Sequence, residues 1–297
     1  MSFLLAHISD VHLAPLPPVH LGELFSKRIT GYVNWQRNRA GAMTGETLSR
    51  LVSAMLETGP DHIAVTGDLT NLSLDAEFAN AADWLRQLGR PADVSAVPGN
   101  HDAYVRGALA RAVSAWSANM AGDDGEAGFP YLRRRGEVAV IGVNSAVATP
   151  PFIAAGLFGT AQAARLAEIL DETAALGLYR VMLIHHPPVR SAIGPRSRLY
   201  GIRRFERVIA RHGAELVLHG HTHLPQRHML DGAHGGRVPV IGVPAGSAAP
   251  GNSPRGAAFN LLHVSGGPGA WTCRLEQHAL DASGQATAIT DRMELAV

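Results

Sequence analysis

A rhythm constrains this chain more than any other feature: five short apolar runs, each closing on a polar cluster able to hold a metal ion. Leu4 to Ile8 is followed by Ser9-Asp10-Val11-His12, and Ile63 to Val65 by Gly67-Asp68-Leu69-Thr70. Val94 to Val97 leads into Gly99-Asn100-His101-Asp102 and Val181 to Ile184 into His185-His186-Pro187-Pro188; Leu216 to Leu218 leads into Gly220-His221-Thr222-His223. Apolar runs of this length read as buried strands. The crevice beyond the carboxyl ends of such strands is where open α/β sheets bind ligands.

Taken singly, each cluster has a bland explanation. Asp10 can cap a helix, Asp68 and Asn100 sit beside glycines as turn residues do, and a His pair before two prolines suits a surface loop. Jointly they bring oxygen and imidazole donors to one sheet edge, where converging carboxylates would repel. A pair of divalent cations resolves that repulsion. Carboxylate, amide oxygen and imidazole without thiolate suit Mn, Fe or Zn, and seven donors are too many for one catalytic ion.

Between the runs lie stretches of helical periodicity. From Thr44 to Glu57, Leu48, Leu51, Val52 and Met55 repeat at three- and four-residue steps; from Ala76 to Leu88, Phe78, Ala82 and Leu85 do the same. Further helices are expected over Ala161 to Ala175 and Phe205 to His212, with one beginning near Arg106. The alternation predicts an α/β fold with a largely parallel sheet. Val138 to Val143 reads as another strand, and Val238 to Val243, Ala258 to Val264 and Trp271 to Gln277 read as strands without helices, for which antiparallel pairing is expected. No repeat or linker divides the chain, so residues 1–297 are read as one domain.

Composition narrows the chemistry. With 26 Lys and Arg against 25 Asp and Glu, the net charge of +1 gives no overall field for nucleic acid. Cys273 is the lone cysteine, which excludes a disulfide framework and a thiolate zinc site. The apolar start is broken at His7, Ser9 and Asp10, so neither a signal peptide nor a membrane span is expected, and a cytoplasmic location follows. Among the 15 histidines, His7, His62 and His219 are read as structural. Arg133, Arg134 and Arg135 read as a solvated basic edge, and Met182 and Met229 as core filling.

In this order the five clusters resemble the calcineurin-like metallophosphoesterase superfamily, whose pattern is D-x-H, GD, GNH with D or E, H, and GHxH. The resemblance runs from residue 8 to about residue 224. It implies a four-layer αββα sandwich of two mixed sheets flanked by helices, and two divalent cations. One would be held by Asp10, His12 and His223, and the other by Asn100, His221 and His185, with Asp68 bridging; His186 is the alternative to His185. His101 takes the role of general acid toward the leaving oxygen, and Asp102 either orients it or caps the following helix.

The second cluster, Gly67 to Ser73, lacks the GDxxDRG pattern of the superfamily's protein phosphatases. The His-His-Pro-Pro and GHTH blocks look instead like bacterial class III cyclic-nucleotide phosphodiesterases and glycerophosphodiesterases. A small phosphodiester is therefore the expected substrate, with Arg190 and Tyr104 as candidate contacts. A lipid-linked pyrophosphatase resembling a UDP-diacylglucosamine hydrolase is the second reading, and a metal-dependent nuclease the third. Residues 13–43 interleave aromatic and basic groups such as Phe25, Lys27, Arg28, Trp35 and Arg37. They read either as a lid touching a membrane surface or as a surface helix with Trp35 packed on the sheet. The arginines of Val189 to Arg204 are read as a phosphate contact, a homodimer contact or a solvated loop.

Overall fold

The structure is a computed structural model that describes residues 2–38, 45–126, 128–251 and 254–296. Its first part runs β1 (Ser2–Ile8), α1 (Arg28–Asn38), α2 (Gly45–Glu57), β2 (His62–Val65), α3 (Asp75–Leu88), β3 (Val94–Ala96), α4 (Ala108–Ala115), β4 (Tyr131–Arg135) and β5 (Val138–Gly142). The next part is β6 (Gly156–Leu157), α5 (Thr160–Ala175), β7 (Tyr179–Leu183), β8 (Leu199–Tyr200), α6 (Ile202–His212) and β9 (Leu216–His219). It closes with β10 (Arg227–Asp231), β11 (Arg237–Gly242), β12 (Ala258–Ser265), β13 (Thr272–Leu280) and β14 (Thr287–Leu295).

Two six-stranded sheets form, ordered β14-β13-β12-β1-β2-β3 and β10-β11-β9-β7-β5-β4. The first has its parallel strands β1-β2-β3 along one side and antiparallel strands on the other, and the second has a parallel centre, β5-β7-β9-β11, with an antiparallel strand on each side. Successive side chains of a strand face opposite ways, and the second sheet shows the result. Val138, Val140, Val181, Leu183, Leu216 and Leu218 join the core shared with Leu5, Ile63 and Val94 of the first sheet. Their neighbours Ile141, Met182, Ile184 and Val217 face Leu166, Ile169 and Phe205 of α5 and α6. Leu48, Leu51, Phe78, Leu85 and Ala112 bring α2, α3 and α4 against the first sheet, which completes four layers.

The helices lie within a few residues of their expected places; Thr44, expected to open the second, lies outside the described residues. Pairing departs from expectation at β11, which runs parallel to β9 and antiparallel only to β10. Both β10 and β14 are edge strands rich in polar residues, so no apolar run announces them. Arg133 is a further correction: it is 3% exposed, and its guanidinium donates to the carbonyls of Pro91, Val94, Ala118 and Ala121. It staples loops that would otherwise bury carbonyls without donors. Met182 is core, but Met229 is exposed.

His7 and His62 are structural, as expected: each is fully buried and shares a hydrogen bond with a hydroxyl, Thr66 Oγ1 and Ser95 Oγ respectively. Burial, with the charges of Arg135 and Arg133, pushes His62 down to about 3. Folded His62 therefore stays neutral while the unfolded chain takes up a proton below 6.5, so stability falls as pH drops from 6.5 toward 3. Within that window His62 contributes a slope of about 1.4 kcal/mol per pH unit. His62→Gln should flatten the pH dependence of urea unfolding there; an unchanged slope would exclude His62 as a source.

Candidate metal centre

Strands β1, β2 and β3 of one sheet, and β7 and β9 of the other, end at a common edge. Backbone bonds knit the loops that follow: Asp10 N–H donates to Gly67 O, His12 N–H to Asp68 O, Gly220 N–H to His185 O and Gly246 N–H to Ser9 O. Eight non-glycine residues among those described have positive φ, and five of them are Asp10, His12, Asp68, His221 and His223. Left-handed backbone costs a non-glycine residue on the order of 1 kcal/mol or more and persists where the surroundings enforce it. Here it turns side chains inward that an extended backbone would send elsewhere. Gly99 and Gly220 are required by close approach, because a Cβ would collide with the Asp68 carboxylate at the first and with Ser9 and Asp10 at the second.

Donor atoms of Asp10, His12 and His223 lie within 4.8 Å of one another, as do those of Asp10, Asp68 and His185. Asp10 Oδ1 is 3.1 Å from His223 Nε2, and Asp68 Oδ2 is 3.4 Å from His185 Nε2 and 3.9 Å from His12 Nε2. Asn100 Oδ1 is 3.2 Å from His185 Nε2. Three imidazoles are oriented in the same way, by donating one ring N–H to a backbone carbonyl. His12 Nδ1 donates to Thr70 O, His185 Nδ1 to Thr66 O and His221 Nε2 to Ser197 O. That arrangement fixes the tautomer and presents the opposite nitrogen as a donor to a cation.

His186 shares a cluster with His185 and His221, yet both its nitrogens are engaged: Nε2 donates to Ala154 O at 3.1 Å and Nδ1 accepts from Ser145 Oγ at 2.8 Å. Strand alternation explains the difference. Leu183 faces the space between the sheets and Ile184 the outer helices, so His185 falls inward and His186 outward.

Charge follows the geometry. Burial opposes ionisation of Asp10 and Asp68, but the neighbouring imidazoles, His223 for Asp10 and His185 for Asp68, hold both carboxyls below the usual range. Burial likewise disfavours the imidazolium of His185, and Asp68 outweighs it, raising His185 to about 9. Burial and the His185 charge push His221 down to about 3. Two buried carboxylates balanced by a buried imidazolium form a site that a divalent cation can take over by displacing the proton. The donor set therefore fits two cations sharing Asp68, with no thiolate and with oriented imidazoles.

His101 stands beside this cluster. Its backbone N–H donates to Asp68 Oδ1 at 2.7 Å, its Nδ1 donates to Asn71 O at 2.6 Å, and its ring stacks on Tyr104. Asp102 does not cap α4, whose cap is Gly107. It is fully buried and accepts the backbone N–H groups of Leu69, Thr70 and Gly99, so it braces the second cluster against the third. Burial and the Asp68 charge push it up to about 7 against those bonds. His219 is buried with Nδ1 on Gly220 O, and burial lowers it to about 4.

A cavity of about 350 Å³ opens beside His101 and Asn100, walled by Lys27, Asn34 and Trp35 of the 13–43 segment and by Tyr104 and Phe152. Trp35 thus faces the cavity; residues 39–43 of the segment lie outside those described. Arg190 does not line this cavity. It is exposed and borders a separate hollow with Arg203, Arg207 and Asp231. Lys27 is the cation that sequence reasoning passed over as one of a basic-aromatic run. Its Nζ donates to Thr149 Oγ1 and Ile153 O and lies 4.5 Å from the Tyr104 ring centre, and burial lowers it to about 8.

No curated protein matches the chain in sequence. Among solved structures it is similar to a dimetal phosphatase from Danio rerio, with 16% identity and a TM-score of 0.63 over 99% of this chain and 98% of that one. It is also similar to a purple acid phosphatase from yellow lupin seeds, with 13% identity and a TM-score of 0.60 over 100% of this chain and 54% of that one. At such identities the likeness concerns the fold. The sequence model described as calcineurin-like phosphoesterase matches residues 3–225, a span that contains all five clusters converging on this cleft. The chain belongs to the calcineurin-like phosphoesterase family.

Proposed function

We propose that this phosphoester hydrolase acts on small phosphodiesters, cyclic nucleotides among them, with two divalent cations drawn from Mn, Fe and Zn. The convergence of Asp10, His12 and His223 on one side of Asp68, and of Asn100, His185 and His221 on the other, carries the reading. Such ions, when bound, lower the pKa of a water and offset charge on phosphoryl oxygens. The chain's own residues supply the remainder. Asp68 fixes the His101 backbone, and Asn71 O holds the proton on Nδ1, so that the ring, when it carries a second proton on Nε2, would hand that proton to the departing alkoxide and return to the neutral Nδ1–H imidazole. Tyr104 holds the ring plane, and Trp35 offers an aromatic wall to an organic substituent.

The cavity wall supports a diester over a monoester: Trp35, Tyr104 and Phe152 line it and give a second organic substituent an aromatic surface to lie against. The exposed apolar side chains of α1, described below, favour a second reading, a pyrophosphatase acting on lipid-linked nucleotides.

Chelation followed by reconstitution with Mn tests the scheme on a cyclic nucleotide, a glycerophosphodiester, a nucleotide-sugar pyrophosphate, a monoester and single-stranded DNA. Chelated protein should be inactive and reconstituted protein should prefer a diester. Preference for the monoester over every diester would overturn the substrate class, and a steep loss of activity with salt on DNA would point to a nuclease.

A further inference from the structure

Ten large apolar side chains stand exposed among the described residues, and six of them fall on two touching stretches of chain. Leu21, Phe25, Ile29 and Val33 recur every fourth residue through a short 3-10 turn and α1, at 81%, 90%, 53% and 40% exposure. Phe152 is 79% exposed although its φ of 64° is one that a bulky residue ordinarily avoids. Lys27 ties the two stretches together through Thr149 and Ile153. Backbone bonds from Ala154 to Arg196 and from Gly156 to Arg198 extend the strip to paired β6 and β8, where Leu157 and Tyr200 are exposed. The other side of α1 walls the cavity beside His101.

Charge on this strip departs from that of the chain. Segments 20–38, 144–160 and 196–200 hold five Lys and Arg against Glu23 alone, a balance of 5 − 1 = +4 where the whole chain carries +1. Protruding apolar side chains among clustered cations match the headgroup boundary of an anionic bilayer. A second copy of the chain fits less well, because a two-fold contact would set this positive surface against itself. No helix among the described residues is long and apolar enough to cross a membrane, so the contact is peripheral.

We infer that the strip formed by residues 21–33 and the 152–157 loop docks on an anionic lipid surface and holds the mouth of the metal cleft against it. Docking is measured without turnover, so it and the hydrolytic reading fail separately. The full chain should co-sediment with vesicles of phosphatidylcholine mixed with phosphatidylglycerol, bind phosphatidylcholine alone weakly, and be released by salt. Leu21→Ser with Phe25→Ser should weaken that binding roughly ten- to a hundred-fold, and Arg37→Glu should weaken it on the mixed vesicles only. Both variants should keep the turnover of a soluble aryl diester and the thermal transition of the parent. Absence of binding to the mixed vesicles, binding unchanged in the double variant, or a parental dimer that the double variant separates would overturn the docking.

Discussion

Asp68→Asn is expected to lower turnover by about 10³-fold or more and to reduce bound metal below two ions per chain. Asp68 is 2% exposed, with Oδ2 turned toward His12 and His185 and Oδ1 accepting the His101 N–H, so one side chain faces both halves of the donor set. Asparagine keeps the shape and an oxygen for His101, but removes the charge that balances two cations. Metal analysis after dialysis, beside steady-state kinetics, checks this. Two ions per chain retained in an inactive variant would remove Asp68 from the bridging position. Melting of the chelated variant should fall below the chelated parent, because the isosteric amide leaves the buried His185 imidazolium without its carboxylate partner.

His101→Ala is expected to lower turnover about 10²- to 10⁴-fold while the metal content stays intact. The ring packs edge-on to His12 with centroids 4.8 Å apart, donates outward to Asn71 O, and brings a nitrogen within 4.8 Å of donor atoms of His12 and Asp68. Loss of a proton donor should weigh more on an alkyl diester, whose alkoxide departs poorly, than on a nitrophenyl diester, which needs little protonation. Equal losses on the two would make His101 a positioning residue. Metal loss in the variant would place it among the ligands instead.

Much of the cleft was legible in the sequence because buried strands must end and their ends are short. An apolar run closing on Asp, His or Asn marks a strand terminus whatever its register, and five such termini in α/β order converge. The choice between His185 and His186 was not legible from residue type alone, and the alternation that runs on from Leu183 and Ile184 distinguishes the two only once the sheets are seen. The left-handed turns at Asp10, His12, Asp68, His221 and His223 were not legible either, because Asp and His tolerate positive φ better than most residues without requiring it, and packing decides where it occurs. Arg133, and Asp102 as a helix cap, were misread for a common reason: burial assigns both charges to neighbouring backbone groups rather than to solvent or a helix end. Strands β10 and β14 escaped notice because an edge strand needs no apolar face on its open side.

Strand β1, which delivers Asp10 and His12, lies between β2 and β12, and Asp10 O accepts the Ser247 hydroxyl. The stretch matched by the family ends at residue 225, before β11 and β12 begin. A fragment trimmed to the matched stretch would keep every proposed ligand and yet leave β1 and β9 as raw sheet margins, open to pairing with another fragment. The smallest independently soluble unit is therefore set by hydrogen-bonding neighbours on the far side of the sheets, and a trimmed fragment is expected to accumulate as insoluble aggregate.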